Sequence, residues 1–169
     1  MEYLVKRARK GDADAFVALM EMNKESMKKV AFVYLQSEED RADAISQTVL
    51  DAFEHISKLK KSEYFKTWLI RILINNCIDI CRANKKYVNY EESAEVYDEM
   101  ATQMQSEPIE VNIEFLDLLK CLPEDSRIYF VLYYGEQFTT AEIAKILCMK
   151  ENTVKSRIRR GKEILRGVL

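Results

Sequence analysis

Residues 139–165, TTAEIAKILCMKENTVKSRIRRGKEIL, read as two short helices joined by a tight turn. Thr139 followed three residues later by Glu142 makes a T-x-x-E capping box, in which hydroxyl and carboxylate each satisfy an amide that the first turn leaves unpaired. The first helix therefore starts at this point, and Ile143, Ala144 and Leu147 form its buried stripe. On the second helix Val154, Ile158, Gly161 and Leu165 share one face, which leaves Asn152, Lys155, Ser156, Arg159, Arg160 and Glu163 on the opposite one. One face docks and a basic, polar face is offered outward. Helix pairs of this size place their second helix in the major groove of DNA, where Lys and Arg meet phosphates and guanine edges and Asn and Ser reach other base edges. The plain alternative is a solvated helix in a small bundle. Cap, turn length, apolar register and one-sided basicity agree on DNA.

Working outward, the remaining sequence is helical as well. The chain has 169 residues, enough for one ordinary domain or two small ones, with only 4 Gly and 2 Pro to supply turns. An all-α fold of two small helical domains is expected. In the N-terminal part the periodicity predicts helices over about 12–36, 39–57 and 65–86, with a short one over 2–9. The second of these places Ala42, Ile45, Val49, Ala52, Phe53 and Ile56 on a buried stripe and Asp40, Asp43, Gln47 and Asp51 on or near the other side. The C-terminal part reads as helices near 113–121, 124–134, 140–147 and 151–166; Pro123 before Glu124 and Asp125 suits a helix start. Between the two parts, VNYEESAEVYDEMATQMQSEP has no sustained apolar stripe. The expected organisation is a domain over 1–86, an acidic linker over 87–112 and a second domain over 113–169.

A net charge of -2 conceals strong segregation. Residues 58–86 carry eight Lys and Arg against two carboxylates, and residues 149–169 carry seven against two. Residues 88–117 carry nine carboxylates and no Lys or Arg. Two basic patches flank an acidic bridge. The N-terminus has no apolar run behind its basic residues, and the longest apolar stretch is broken by Arg71, Asn75 and Asn76, so a cytoplasmic protein is expected. Cys77, Cys81, Cys121 and Cys148 fit neither a disulfide framework nor paired zinc-site spacing, and read as reduced, mostly buried thiols. Catalysis has little footing: His55, the single histidine, has no nucleophile spaced to meet it, and no glycine-rich phosphate loop occurs. Neither a metal nor a cofactor is implied.

Along nearly its whole length the chain resembles the extracytoplasmic-function sigma factors, small promoter-specificity subunits of bacterial RNA polymerase. LPEDSRIYFVLYYGEQFTTAEIAKILCMKENTVKSRIRRGKEIL is similar to the family's region 4, which binds the −35 promoter element. DRADAISQTVLDAFEHI resembles region 2.2, and FKTWLIRILINNCIDICR resembles regions 2.3 and 2.4, which open and read the −10 element. The resemblance implies that Asn152, Lys155, Ser156, Arg159 and Arg160 contact the −35 element. It aligns Asp40 and Asp43 with acidic positions that face the coiled coil of the polymerase β′ subunit. The family's Gln falls on Ser46 with Gln47 one place later, and Asp51 stands where the pattern often has a basic residue.

For the −10 element the resemblance assigns Asn75 to the capture of a flipped base, with Asn76 equally suited if the register shifts by one. An amide can pair with a base edge once the base has left the stack and cations hold the backbone. Lys60, Lys61, Lys66 and Arg71 supply such cations, and Tyr64 stands either as a stacking face or as core. Phe65 and Trp68 read as core. The family usually has Gly at the helix-turn-helix turn where this chain has Cys148, and a small polar cap where it has Lys150. The partners implied are core polymerase through its β′ and β subunits, promoter DNA and an anti-sigma factor, with the linker either threading polymerase channels or serving as a tether. The runner-up is a free-standing helix-turn-helix regulator that binds an operator.

Overall fold

Side-chain caps decide where three of the helices begin. In the computed structural model, which describes residues 1–91 and 113–168, Asp12 accepts a hydrogen bond from the Ala15 amide at 3.0 Å and starts α2 (Ala13–Tyr34). Ser37 accepts from the Asp40 amide at 3.0 Å and starts α3 (Glu38–His55). Each such cap contributes about 1 kcal/mol. Before them lies α1 (Glu2–Ala8), and two short 3-10 turns at Ile56–Lys58 and Ser62–Tyr64 lead from α3 into α4 (Phe65–Glu91). After the undescribed residues come α5 (Ile113–Lys120), α6 (Glu124–Phe130), α7 (Thr140–Ile146) and α8 (Glu151–Val168). All regular structure among the described residues is helical. The acidic stretch read as a linker lies largely outside the described residues, although α4 continues five residues beyond its expected end at 86.

Helices α2, α3 and α4 pack on one another and are closed at one end by α1. Val5, Leu19, Met27, Val30, Phe65, Leu69, Ile70 and Leu73 fill this interior, each almost fully buried. Trp68 packs at its edge, so the core reading of Phe65 and Trp68 holds. The stripe expected on α3 is rotated from its sequence reading. Ala42 is exposed and Phe53 is 59% exposed, touching the edge of Phe16, whereas the buried line is Ala44, Thr48 and Ala52. Small side chains let α3 and α4 approach closely, and the Thr48 hydroxyl donates to the Ala44 carbonyl at 2.7 Å, which makes its burial inexpensive.

In the second group α8 lies across α6 and α7. Val154, Ile158 and Gly161 are buried and Leu165 partly so, as the spacing predicts. Gly161 is required by contact: a Cβ there would stand 2.3 Å from the Phe130 ring. Gly161→Ala should therefore lower stability by about 1–3 kcal/mol, the cost of overpacking a tight core, and shift the thermal midpoint down by several degrees. An unchanged midpoint would show that the ring can yield. The helix expected over 124–134 is α-helical only to Phe130. A π-helical turn then spans Val131–Gly135, closed by the Glu136 amide on the Val131 carbonyl at 2.9 Å. This widening retains the apolar run of the helix, so a 3.6-residue pattern does not reveal it.

One other expectation changes. Cys77 is buried and Cys81 half-buried, but Cys121 and Cys148 are exposed, so the four thiols are not mostly buried. Burial pushes the Cys77 thiol up to about 12, which leaves it protonated and inert. No described helix is long and apolar enough to cross a membrane.

Candidate nucleic-acid and polymerase interface

The turn between α7 and α8 is built without the usual glycine. Thr139 and Glu142 form the full capping box: the Thr139 hydroxyl accepts from the Glu142 amide at 3.2 Å, and the Glu142 carboxylate accepts from the Thr139 amide at 2.8 Å. At the other end Cys148 adopts φ 53°, and the Met149 amide reaches back to the Ala144 carbonyl at 3.0 Å. This is the six-to-one closure of a Schellman motif with a cysteine in its left-handed position, at a cost of about 1 kcal/mol relative to glycine. Lys150 occupies the position before α8. The Thr140 hydroxyl donates to Glu151 Oε1 at 2.7 Å and ties the start of α7 to the start of α8. That bond and Lys155 hold the Glu151 carboxyl below its usual range.

The outward face of α8 divides into free and committed charges. Asn152, Lys155, Arg159 and Arg160 are exposed and Ser156 is partly covered. Lys155 lies 2.9 Å from Glu151, a pair exposed enough to exchange readily for a phosphate. Arg157, also in the basic run, turns inward and donates to Asp125 Oδ2 at 2.7 Å, fastening α8 to α6. Lys162 lies over the Tyr134 ring. Not every positive charge of this helix is therefore offered outward.

Around the start of α4 the structure separates the two asparagines. Asn75 is exposed, whereas Asn76 donates to Thr48 Oγ1 at 3.1 Å and to Asp51 Oδ2 at 2.9 Å. Asn76 is thus committed to holding α4 on α3. The same bonds give Asp51, the residue that departs from the resembled pattern, an internal partner. Lys60, Lys61 and Arg71 are exposed, and Tyr64 is 40% exposed between the ammonium groups of Lys61 and Lys145, at 5.7 and 5.1 Å from its ring. Tyr64 is therefore surface rather than core. Lys66 is half-buried and engaged by the turn that precedes α7: its ammonium stands 2.9 Å from Glu136 and over the Phe138 ring.

On α3, Asp43 is exposed, and Asp40 accepts from the Asn84 amide at 3.0 Å while keeping partial exposure. Gln47 donates to Asp51 Oδ1 at 2.8 Å, so its amide is directed along the helix. Leu50 and Phe53, each 59% exposed, extend this acidic face with apolar surface; the sequence reading had placed Phe53 inside. Basic and acidic candidates thus lie on different elements, with α8 and the start of α4 positive and the α3 face negative.

Residues 19–87 match the sigma-70 region 2 family and residues 112–165 match sigma-70 region 4. The chain is 30% identical to the ECF RNA polymerase sigma factor SigW of Bacillus subtilis, over 98% of this chain and 94% of that one. It is 26% identical to RNA polymerase sigma factor SigV of the same organism, over 85% and 84%. The fold resembles that of the sigma factor RpoE from Bartonella quintana, solved in complex with the anti-sigma factor NepR, with a TM-score of 0.71 and 19% identity over 90% of this chain and 94% of that one. It also resembles CnrH, solved with the cytosolic domain of CnrY, with a TM-score of 0.69 and 20% identity over 99% and 95%.

Proposed function

Because the chain belongs to the sigma-70 family, in its extracytoplasmic-function branch, we propose that it binds core RNA polymerase and directs initiation at promoters that carry its −10 and −35 elements. The observation that carries this reading is the coincidence of family position with surface. The two matched regions occur in order, and the exposed basic face of α8 lies within the stretch matched to region 4 and the acidic face of α3 within the stretch matched to region 2. In this reading 1–86 form the polymerase-binding and −10 domain, 87–112 the linker, and 113–169 the −35 domain. Asn152, Lys155, Ser156, Arg159 and Arg160 meet the −35 duplex. Asn75 takes the flipped −10 base, since Asn76 is spent on Thr48 and Asp51. Lys60, Lys61, Lys66 and Arg71 hold the backbone while Tyr64 offers a stacking face.

No bond is made or broken by the chain itself on this reading; the chemistry belongs to the polymerase. An anti-sigma factor is proposed as a further partner, because the two structures of like fold were solved with the anti-sigma factor NepR and with the cytosolic domain of CnrY. Run-off transcription with purified core polymerase tests the proposal. Added chain should produce initiation from a subset of promoter fragments that core alone does not use. Tight binding of an isolated operator with no promoter-dependent transcript would instead favour the free-standing regulator.

A further inference from the structure

The carboxylate of Glu136 is the most enclosed charge among the described residues, with a side chain only 4% exposed, and its partners come from the other half of the molecule. The Ser26 hydroxyl of α2 donates to Oε2, Lys66 of α4 stands 2.9 Å from the same oxygen, and Lys29 of α2 stands 3.7 Å from Oε1. One hydroxyl and two ammonium groups converging on a single pair of oxygens make an anion site. A carboxylate fills it here, and a DNA phosphodiester carries the same single charge on its own pair of non-bridging oxygens. The backbone is shaped to deliver that carboxylate. The π-helical turn Val131–Gly135 ends at Glu136, and the next residue, Gln137, is held at φ 60° with its side chain donating to the Tyr134 carbonyl at 2.7 Å. Strained backbone of this kind persists where its surroundings over-determine it.

The same contact covers groups assigned to the −10 strand. The Lys66 ammonium sits over the Phe138 ring, and Lys145 of α7 sits over Tyr64. We propose that Ser26, Lys29 and Lys66 form a nucleic-acid phosphate site in which Glu136 is the resident substitute, so that the free chain is closed over its own −10 surface until a DNA phosphate displaces the carboxylate. The occupancy of the site by DNA rests on the reading of the −10 surface above. The closed state itself does not. Ser26 and Lys29 belong to none of the motifs read from the sequence, and Glu136 is assigned no role in them.

The experiment uses the full chain without polymerase. A donor and acceptor dye are placed at Ser57→Cys and the native Cys148, in a Cys81→Ser, Cys121→Ser background, with the fold checked by circular dichroism. A fluorescent single-stranded DNA of random sequence serves as the phosphate probe. Glu136→Gln should lower energy transfer, as the two halves part, and raise DNA affinity by about tenfold, the factor by which a competent fraction of about one in ten depresses apparent affinity. Glu54→Gln, an exposed change of equal charge, should alter neither signal appreciably. Lys66→Gln should also lower energy transfer but weaken DNA binding, because it removes the latch and the phosphate contact together. Unchanged energy transfer in both the Glu136 and Lys66 variants would overturn the latch. Opening by Glu136→Gln without a gain in affinity beyond that of Glu54→Gln would overturn the phosphate site. Because neither readout needs a promoter or polymerase, failure here is separable from failure of the run-off assay.

Discussion

Replacing Asp40 and Asp43 together by lysine should lower the affinity for core RNA polymerase by roughly a hundredfold or more, since like charges set against each other at an interface cost several kcal/mol. Both side chains lie at the N-terminal end of α3 and retain exposure, Asp43 as an exposed residue and Asp40 as a partly covered one beside Asn84. The substitution reverses charge at a helix start, where acidic groups favour the helix dipole by about 0.3–1 kcal/mol each. It also removes the Asn84 contact. These losses are small beside the stability of an ordinary domain, about 5–15 kcal/mol, so the variant should remain folded. The Ser37 cap and the Arg41 bonds to the Leu35 and Gln36 carbonyls, at 3.2 and 3.0 Å, stay in place. Asp51→Asn supplies the contrast. Asp51 faces Asn76 within the fold, so its change should reduce stability modestly and leave polymerase affinity nearly intact. Equal binding of core by the double lysine variant and the parent chain, measured by fluorescence anisotropy, would remove the α3 face from the polymerase interface.

The difference between Asp43 and Asp51 shows what could be read from the residues and what could not. Helix existence and the faces of α7 and α8 were legible, because capping chemistry and apolar spacing are local properties that neighbouring residues settle among themselves. The buried line of α3 was not, because Ala44 and Thr48 are inside for a tertiary reason, the close approach of α4, while larger Phe53 is left at the surface. Periodicity weighted by hydrophobicity favours the larger side chain. The choice between Asn75 and Asn76 likewise depends on partners from α3, 28 and 25 positions away along the chain. Cys148 was legible as an anomaly, and the structure supplies its account: the Schellman closure holds a non-glycine residue in left-handed backbone. Least legible was the anion site, whose members come from α2, α4 and the turn after α6. Ser26 and Glu136 are 110 residues apart, and nothing in either local pattern refers to the other.

Arg159→Ala should change which −35 sequence the polymerase holoenzyme prefers, whereas Lys155→Ala should weaken all promoters alike. The two residues are separated by one helical turn on the same outward face of α8, so a difference between them must come from what each side chain can reach. Lys155 is a flexible point charge already held 2.9 Å from Glu151, a pairing that suits exchange for a phosphate and carries no base information. Its loss frees Glu151 beside the duplex, and that uncompensated carboxylate adds to the uniform loss of affinity and flattens the salt dependence by about one phosphate contact. Arg159 is exposed at the centre of the face, and no carboxylate among the described residues lies within ion-pair distance of it. A guanidinium free of such a tie can offer two parallel donors to a guanine edge, an arrangement worth about 1–3 kcal/mol of discrimination against another base. Arg157, two residues away, cannot do the same while it is bound to Asp125. Selection from a library randomised across the −35 element should therefore show relaxed preference at one position for Arg159→Ala and an unchanged motif for Lys155→Ala. Identical preferences for Arg159→Ala and the parent chain would assign the base reading of this helix elsewhere, with Asn152, Ser156 and Arg160 the other candidates on the face.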